Sequence, residues 1–286
     1  MSRINDAVDW SVDLGGGTRA ALIQAGTFKT DVGAALGPIP RPIWLPAVNE
    51  EVDSDNRMRQ ALNCLLIETP GGRVLVETGI GERMSPDVRA KRAVSGEPIL
   101  PSLRKAGFEP ASVDFVALSH LHFDHAGGLL ASDGTRAFPN APIIAQRAEW
   151  DMALSDHPRV SASYDQEDLR LVRMLWPDDA VDGERELVPG VSVVPTGGHS
   201  AGHQAVLVRG RTATLAFFGD LAMRPCSVSP TWTTSFDDFP LESVEAKLRL
   251  FARAADERWT IVLSHERAKP IGRIRRSDRD FLFEPI

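Results

Sequence analysis

Apolar and polar positions change rhythm several times along the chain, and each change predicts an element. Strand-like runs begin near RAALIQAGTF (19–28). The proline-rich stretch GPIPRPIWLP (37–46) follows, and its fixed φ angles and missing N–H groups argue against a regular helix or a central strand. Two apolar runs then flank TPGG within NCLLIETPGGRVLVETGIG (63–81), which predicts a hairpin. PSLRKAG (101–107) predicts a short helix closed by Gly107. VDFVALS (113–119) is nearly continuous in apolar residues, as a strand buried on both faces would be.

APIIAQ (141–146) reads as another strand and RAEWDMALS (147–155) as a helix. Residues 156–186 are polar with scattered apolar positions and read as a helical insertion. Strands return at GVSVVPT, QAVLVRG and TATLAFFGD. An amphipathic helix follows, with Leu241, Val244, Leu248 and Phe251 at helical spacing. WTIVLS is a further buried strand, and the tail resembles a hairpin across RSDRD. No repeat and no Ser/Gly-rich linker divides the chain, so residues 1–286 are expected to form one domain of the α/β (α+β) class, with strands and helices in layers.

Composition narrows the function. Hydrophobic residues make up 43% and charged residues 25%, as in ordinary globular proteins, and the net charge of −7 disfavours nucleic acid as a partner. No apolar run approaches the roughly eighteen residues needed to span a bilayer, and MSRINDAVDW lacks a signal-peptide core. Two distant cysteines suit inert thiols in a reducing compartment, so a cytoplasmic location is expected.

Seven histidines are present, and three of them fall in SHLHFDHAGG (119–128). His199 and His203 lie in TGGHSAGHQ between two predicted strands, and His265 closes TIVLSHE. Only His157 sits in the polar insertion with no pattern around it. Convergence at strand ends is what a metal site demands. Residues two apart on an extended segment point the same way, so His120 and His122 can grip one ion, and Asp124 continues the alternation. His125 comes where the chain turns towards a helix and faces elsewhere, so one motif can feed two neighbouring ions. Gly127 and Gly128 let that turn close tightly. Asp220, after TLAFFG, is a carboxylate in an apolar setting, and a place between two dications would satisfy it.

Each of these residues has an ordinary alternative when taken singly. A lone His after a strand is a satisfied core residue, and a lone Asp after Gly is a turn residue or helix cap. The set together points to metal. His203 is expected to make a structural hydrogen bond near the site and His157 to be exposed and inert. Glu77 in VETG either supports the site from behind or caps the hairpin.

HLHFDH, GGHSAGH, FFGD and LSHE, in that order, resemble the metallo-β-lactamase superfamily. The resemblance implies a four-layer αββα sandwich with its metals at one edge of the two sheets. It implies one ion on His120, His122 and His199, a second on Asp124, His125 and His265, and Asp220 bridging both. Zinc is the family's usual metal, and the nitrogen and oxygen donor set also suits iron, manganese or cobalt. A bridging carboxylate argues against true β-lactamases, and His122 argues against flavodiiron proteins. Charge and length argue against RNA-processing members, and the short tail after His265 against glyoxalase II-like enzymes.

The closest likeness is to N-acyl-homoserine lactone lactonases and methyl parathion hydrolase-like proteins. It implies hydrolysis of a lactone or carboxylic ester by a hydroxide shared between the two metals. Asp124 would move the proton to the leaving alkoxide, and Trp44, Trp232 and Phe236 would form an apolar acyl pocket. The partner is then a small molecule, with no nucleic acid and no membrane; a homodimer is compatible with this reading. A phosphotriesterase and a non-catalytic scaffold are the alternatives. TGGHS replaces the usual Pro-Gly-His-Thr and VETG the commoner Asp-Thr-Gly. The single tyrosine, Tyr164, lies in the insertion, whereas some lactonases carry a carbonyl-polarising tyrosine shortly after the bridging aspartate.

Overall fold

The structure, a computed structural model, describes residues 8, 10–48, 52–159, 162–177, 180–278 and 280–286. The N-terminal stretch 1–7 lies outside the described residues. Among the described residues, fourteen strands form two seven-stranded sheets, each ordered as in the sequence. The first runs β1 (Ser11–Gly15), β2 (Thr18–Asp31), β3 (Arg57–Thr69), β4 (Gly72–Val76), β5 (Phe115–Ala117), β6 (Ile143–Gln146) and β7 (Ala180–Val181). The second runs β8 (Arg185–Val188), β9 (Val191–Pro195), β10 (Gln204–Arg209), β11 (Thr214–Phe217), β12 (Thr260–Val262), β13 (Ile271–Ser277) and β14 (Asp280–Pro285). Pairing from β4 to β7 is parallel, as is β11 with β12; the remaining pairs are antiparallel.

Period-two alternation sorts side chains into three apolar layers. On β3, Leu65 and Ile67 face the second sheet, where Val206, Val208, Leu215 and Phe217 meet them. Leu62, Cys64 and Leu66 face outward, under α4 (Ile99–Lys105), α6 (Arg147–Ala153) and α7 (Gln166–Leu175). On the far side, Ala205, Leu207, Ala216 and Phe218 lie under α8 (Pro240–Asp256). Each fully buried Leu or Phe stabilises these layers by about 1.5–3 kcal/mol over exposure. The architecture is the αββα sandwich.

Local chemistry shapes the turns that the pattern predicts. Thr69 pairs with Gly72 across Pro70 and Gly71, and Thr69 Oγ1 accepts from Gly71 N at 3.0 Å. Gly107, at φ +88°, ends the turn after α4. Ser277 pairs with Asp280 in the terminal hairpin. Cys64 and Cys226 are free thiols, and burial pushes Cys226 up to about 11.

Three elements depart from the sequence reading. The proline-rich stretch does form a helix, α2 (Arg41–Val48), with Pro46 inside it. Pro42 sits in its first turn, where no N–H is needed, and Trp44 and Val48 anchor it against Val32, Leu36 and Met58. Among its described residues the insertion is α-helical only over α7, and it ends in β7 and β8, which extend the two sheets. The buried face of α8 overlaps the expected one only in part: Phe251 is fully buried and Val244 half-buried, but Leu241 is 80% and Leu248 43% exposed, while Ser243, Ala246, Lys247, Leu250 and Ala254 are buried. Small residues let this helix approach the loop after β9, where a Cβ on Gly198 would fall 2.5 Å from Ser243 N. Lys247 is held inside by donating to Ser227 O at 2.8 Å and Trp232 O at 2.7 Å.

Candidate metal centre

Four loops at one edge of the sandwich bring the histidines and Asp220 together. The chain leaves β5 at Ala117 and bends at Ser119 before His120, and His122 caps α5 (Phe123–Ala126), which holds Asp124 and His125. His199 comes from the β9–β10 loop, Asp220 from the 3-10 turn after β11, and His265 from the loop after β12. Cross-sheet bonds fix the last of these. Ala61 N donates to His265 O at 3.0 Å, and Asn63 Nδ2 donates to Leu263 O at 2.9 Å and Glu266 O at 2.7 Å.

Close backbone approach decides the glycines here. Gly219 has φ +51°, and a Cβ on it would lie 2.5 Å from Ser119 Cβ. A Cβ on Gly127 would lie 2.3 Å from Ile80 O, and one on Gly128 2.3 Å from Thr78 O. Side chains at these positions would push the histidine loops apart.

Polar partners on the outer nitrogens set how four of the imidazoles face inward. Nδ1 of His120 meets Ser119 Oγ at 2.9 Å, and Nδ1 of His199 meets Asp237 Oδ1 at 2.8 Å. Nδ1 of His265 donates to Ala61 O at 2.8 Å, and Nδ1 of His125 lies 3.2 Å from Glu77 Oε2. All four therefore present Nε2 to the centre. His122 is reversed, with Nδ1 3.2 Å from His199 Nε2. Such outer partners fix tautomer and ring direction for metal binding.

The inner atoms form three overlapping triads: His120, His122 and His199; His120, His125 and Asp220; and Asp124, His125 and His265. Asp220 turns one oxygen to each side. Its Oδ2 is 3.5 Å from His199 Nε2, while its Oδ1 is 3.3 Å from His125 Nε2 and 3.1 Å from His265 Nε2. Tetrahedral ligands about 2.1 Å from an ion lie about 3.4 Å apart, so these separations fit divalent cations. Nε2 of His120 and of His125 are buried with no hydrogen-bond partner among the described residues. Buried nitrogens left without a partner are costly, and an ion that takes their lone pairs relieves that cost.

The electrostatics agree. Burial, reinforced by the neighbouring imidazoles, holds His120 and His122 well below the usual histidine range, so both stay neutral. Burial also lowers His125, but Asp220, Asp124 and Glu77 outweigh it and push His125 well above that range. Burial would raise Asp220, yet His125 and His265 hold it well below the usual carboxylate range. The centre thus pairs two neutral imidazoles, His120 and His122, with a carboxylate whose charge is held by the neighbouring His125.

His203 binds with both nitrogens elsewhere, Nδ1 2.6 Å from Thr196 Oγ1 and Nε2 accepting from Asp220 N at 3.2 Å. His157 is exposed, and its Nδ1 accepts from Arg159 N at 3.3 Å. Glu77 supports the site, accepting from Ser119 N at 2.8 Å, and holds an unusual φ of +65°.

A cavity of about 340 Å³ opens over the centre. His122, Asp124, Asp220 and His265 form its polar end, and Phe28, Phe123, Met223 and Phe236 an apolar wall. Trp44 and Trp232, expected on that wall with Phe236, pack instead in the cluster around α2. Apolar character alone gave no sign of which aromatics face the cavity.

Sequence reasoning missed two supports. Glu149 on α6 is fully buried and accepts four bonds: Leu121 N at 2.9 Å, Tyr164 Oη at 2.9 Å, Ser200 Oγ at 2.5 Å and Gly202 N at 3.1 Å. It ties the His120–His122 loop to the His199 loop. The other is Asp237, behind His199. No local signal in RAEW marks Glu149. Tyr164 returns from the insertion to pack its ring 4.6 Å from His122, but its hydroxyl is spent on Glu149.

Residues 59–265 match the family model described as the metallo-beta-lactamase superfamily. An N-acyl homoserine lactonase of Bacillus cereus is 30% identical over 218 residues, covering 71% of this chain and 78% of its own length. A probable metal-dependent hydrolase from Staphylococcus aureus superposes with a TM-score of 0.84 at 23% identity, over 96% of this chain and 99% of that one. AidC, described as a dizinc quorum-quenching lactonase in complex with its product, gives 0.79 at 21% identity over 97% of each chain. With this sandwich, this edge and this match, the chain belongs to the metallo-beta-lactamase superfamily.

Proposed function

We propose that this metal-dependent hydrolase opens a lactone ring at a dinuclear centre, as a quorum-quenching lactonase does. The observation that carries the reading is Asp220, whose two oxygens face different histidine sets. His120, His122 and His199 would hold one divalent ion, Asp124, His125 and His265 the other, and Asp220 would reach both. Zinc suits this donor set. When bound, such a pair supplies an acidified water as nucleophile and an electrophile for the carbonyl oxygen.

The chain's own residues do the remainder. Glu149, Asp237 and Glu77 keep the imidazoles aimed, so little reorganisation accompanies reaction. Asp124 belongs both to the centre and to the cavity wall. Its carboxylate takes the proton of the attacking water and passes it to the ring oxygen as the acyl C–O bond breaks, leaving a hydroxy acid. Phe28, Phe123, Met223 and Phe236 exclude water and receive an apolar acyl chain. The lactonase relative of Bacillus cereus supports the same substrate class.

The test is a panel of acylated homoserine lactones, alkyl lactones, aryl esters and phosphotriesters on metal-loaded protein. Lactones should exceed the other classes at least tenfold in kcat/KM. Faster turnover of a phosphotriester than of every lactone would overturn the assignment.

A further inference from the structure

Gln60 on β3 is fully buried and lines the cavity. Its Oε1 accepts from Arg224 Nη1 at 3.2 Å. A guanidinium only donates, so the oxygen of the amide must face Arg224 and the NH2 group must face away. Nε2 is buried with no hydrogen-bond partner among the described residues. A buried amide donor left without an acceptor is costly, and on a residue that lines the cavity a bound substrate can supply the missing acceptor.

The position of Gln60 says which part of a substrate it meets. It precedes Ala61, whose carbonyl holds His265 Nδ1. It lies opposite Phe28, whose ring packs edge-on 5.9 Å from His265. Arg224 follows the Asp220 turn and comes within 3.7 Å of Glu266, the neighbour of His265. Gln60 is thus tied to the segments that carry Asp220 and His265, at the polar end. The exposed Pro158 and Arg159 mark the solvent side of the cavity. Met223, the other wall residue from the Asp220 turn, carries no side-chain N–H or O–H donor.

We propose that Gln60 is a catalytic residue whose Nε2 donates to the carbonyl oxygen under attack and binds it more tightly as negative charge builds there. The proposal rests on the lactone or ester reading of the site. Arg224 is the positioning residue that fixes the amide.

Gln60→Met keeps the size and removes the donor; Gln60→Glu removes the donor and keeps an acceptor for Arg224. With lactone substrate and metal-loaded protein, both should lose about a hundredfold in kcat, as deletion of one oxyanion donor does, with KM within about threefold. Metal content should not change. Calorimetry with a cyclic phosphonate, a tetrahedral anion, should show at least tenfold weaker binding to Gln60→Met. Wild-type kcat in Gln60→Met with a loss in Gln60→Glu alone would assign the effect to charge repulsion and overturn the proposal. So would a loss confined to KM or accompanied by lost metal. Should Gln60→Met not fold, Gln60→Ala takes its place. A wild type that opens no lactone or ester would defeat the lactone reading; unchanged phosphonate affinity in Gln60→Met would then defeat the role of Gln60 separately.

Discussion

Glu149→Gln is the sharpest perturbation of the scaffold behind the metal centre, because one carboxylate accepts four hydrogen bonds there. A glutamine in either orientation turns an NH2 group towards two donors. Either Leu121 N and Tyr164 Oη lose their acceptor, or Ser200 Oγ and Gly202 N do. Each charge-assisted bond contributes about 1.5–3 kcal/mol, and relief from burying a charge offsets part of the loss. A net destabilisation of about 3 kcal/mol is expected in urea unfolding of chelator-treated protein. Leu121 lies between His120 and His122, and Ser200 adjoins His199, so zinc affinity should also fall by about ten- to a hundredfold. Tyr164→Phe, which removes one donor and keeps the charge, should cost about 1 kcal/mol and little zinc affinity. Stability within 1 kcal/mol of wild type, with zinc affinity within about threefold, would refute Glu149 as the tie between the two histidine loops.

His203→Ala should keep bound metal and measurable activity while His122→Ala loses both, and equal damage by metal analysis and turnover would mean that the ligand in the β9–β10 loop is misassigned. Asp220→Asn should release the second metal and lower kcat/KM at least a hundredfold, or about 2.7 kcal/mol, on an intact fold; full metal and wild-type turnover would make it only a turn residue. Burial pushes Lys247 down to about 8 from 10.5, so between those values the unfolded chain binds more protons and stability rises with pH. Urea unfolding at pH 7 and 9.5 should therefore show wild type gaining about 2 kcal/mol on Lys247→Met, and an unchanged gap would contradict the buried charge.

What the sequence made legible follows from how locally each feature is encoded. HLHFDH carries its geometry within one turn of chain, and apolar runs ending in His or Asp mark one sheet edge. Features that depend on distant partners were hidden. Nothing local distinguishes Glu149 from a solvent-facing helical acid, since its four donors come from three other segments. Lys247 reads as polar surface until the carbonyls of Ser227 and Trp232 are seen to receive it, and burying it turns α8 away from the stripe of Leu241 and Leu248. Trp44 is turned into the cluster around α2 because its own helix forms despite Pro46, a tertiary result that propensity argues against. Tyr164 reaches His122 only because the insertion folds back over the site.

Metal add-back tests most directly whether the protein is a two-metal lactone hydrolase. Chelator-stripped protein is titrated with zinc while bound metal and turnover of an acylated homoserine lactone are recorded on the same sample. Turnover should rise until two equivalents are bound per chain and then level off. Saturation at one equivalent, or no lactone turnover at two, would contradict the two-metal lactonase reading.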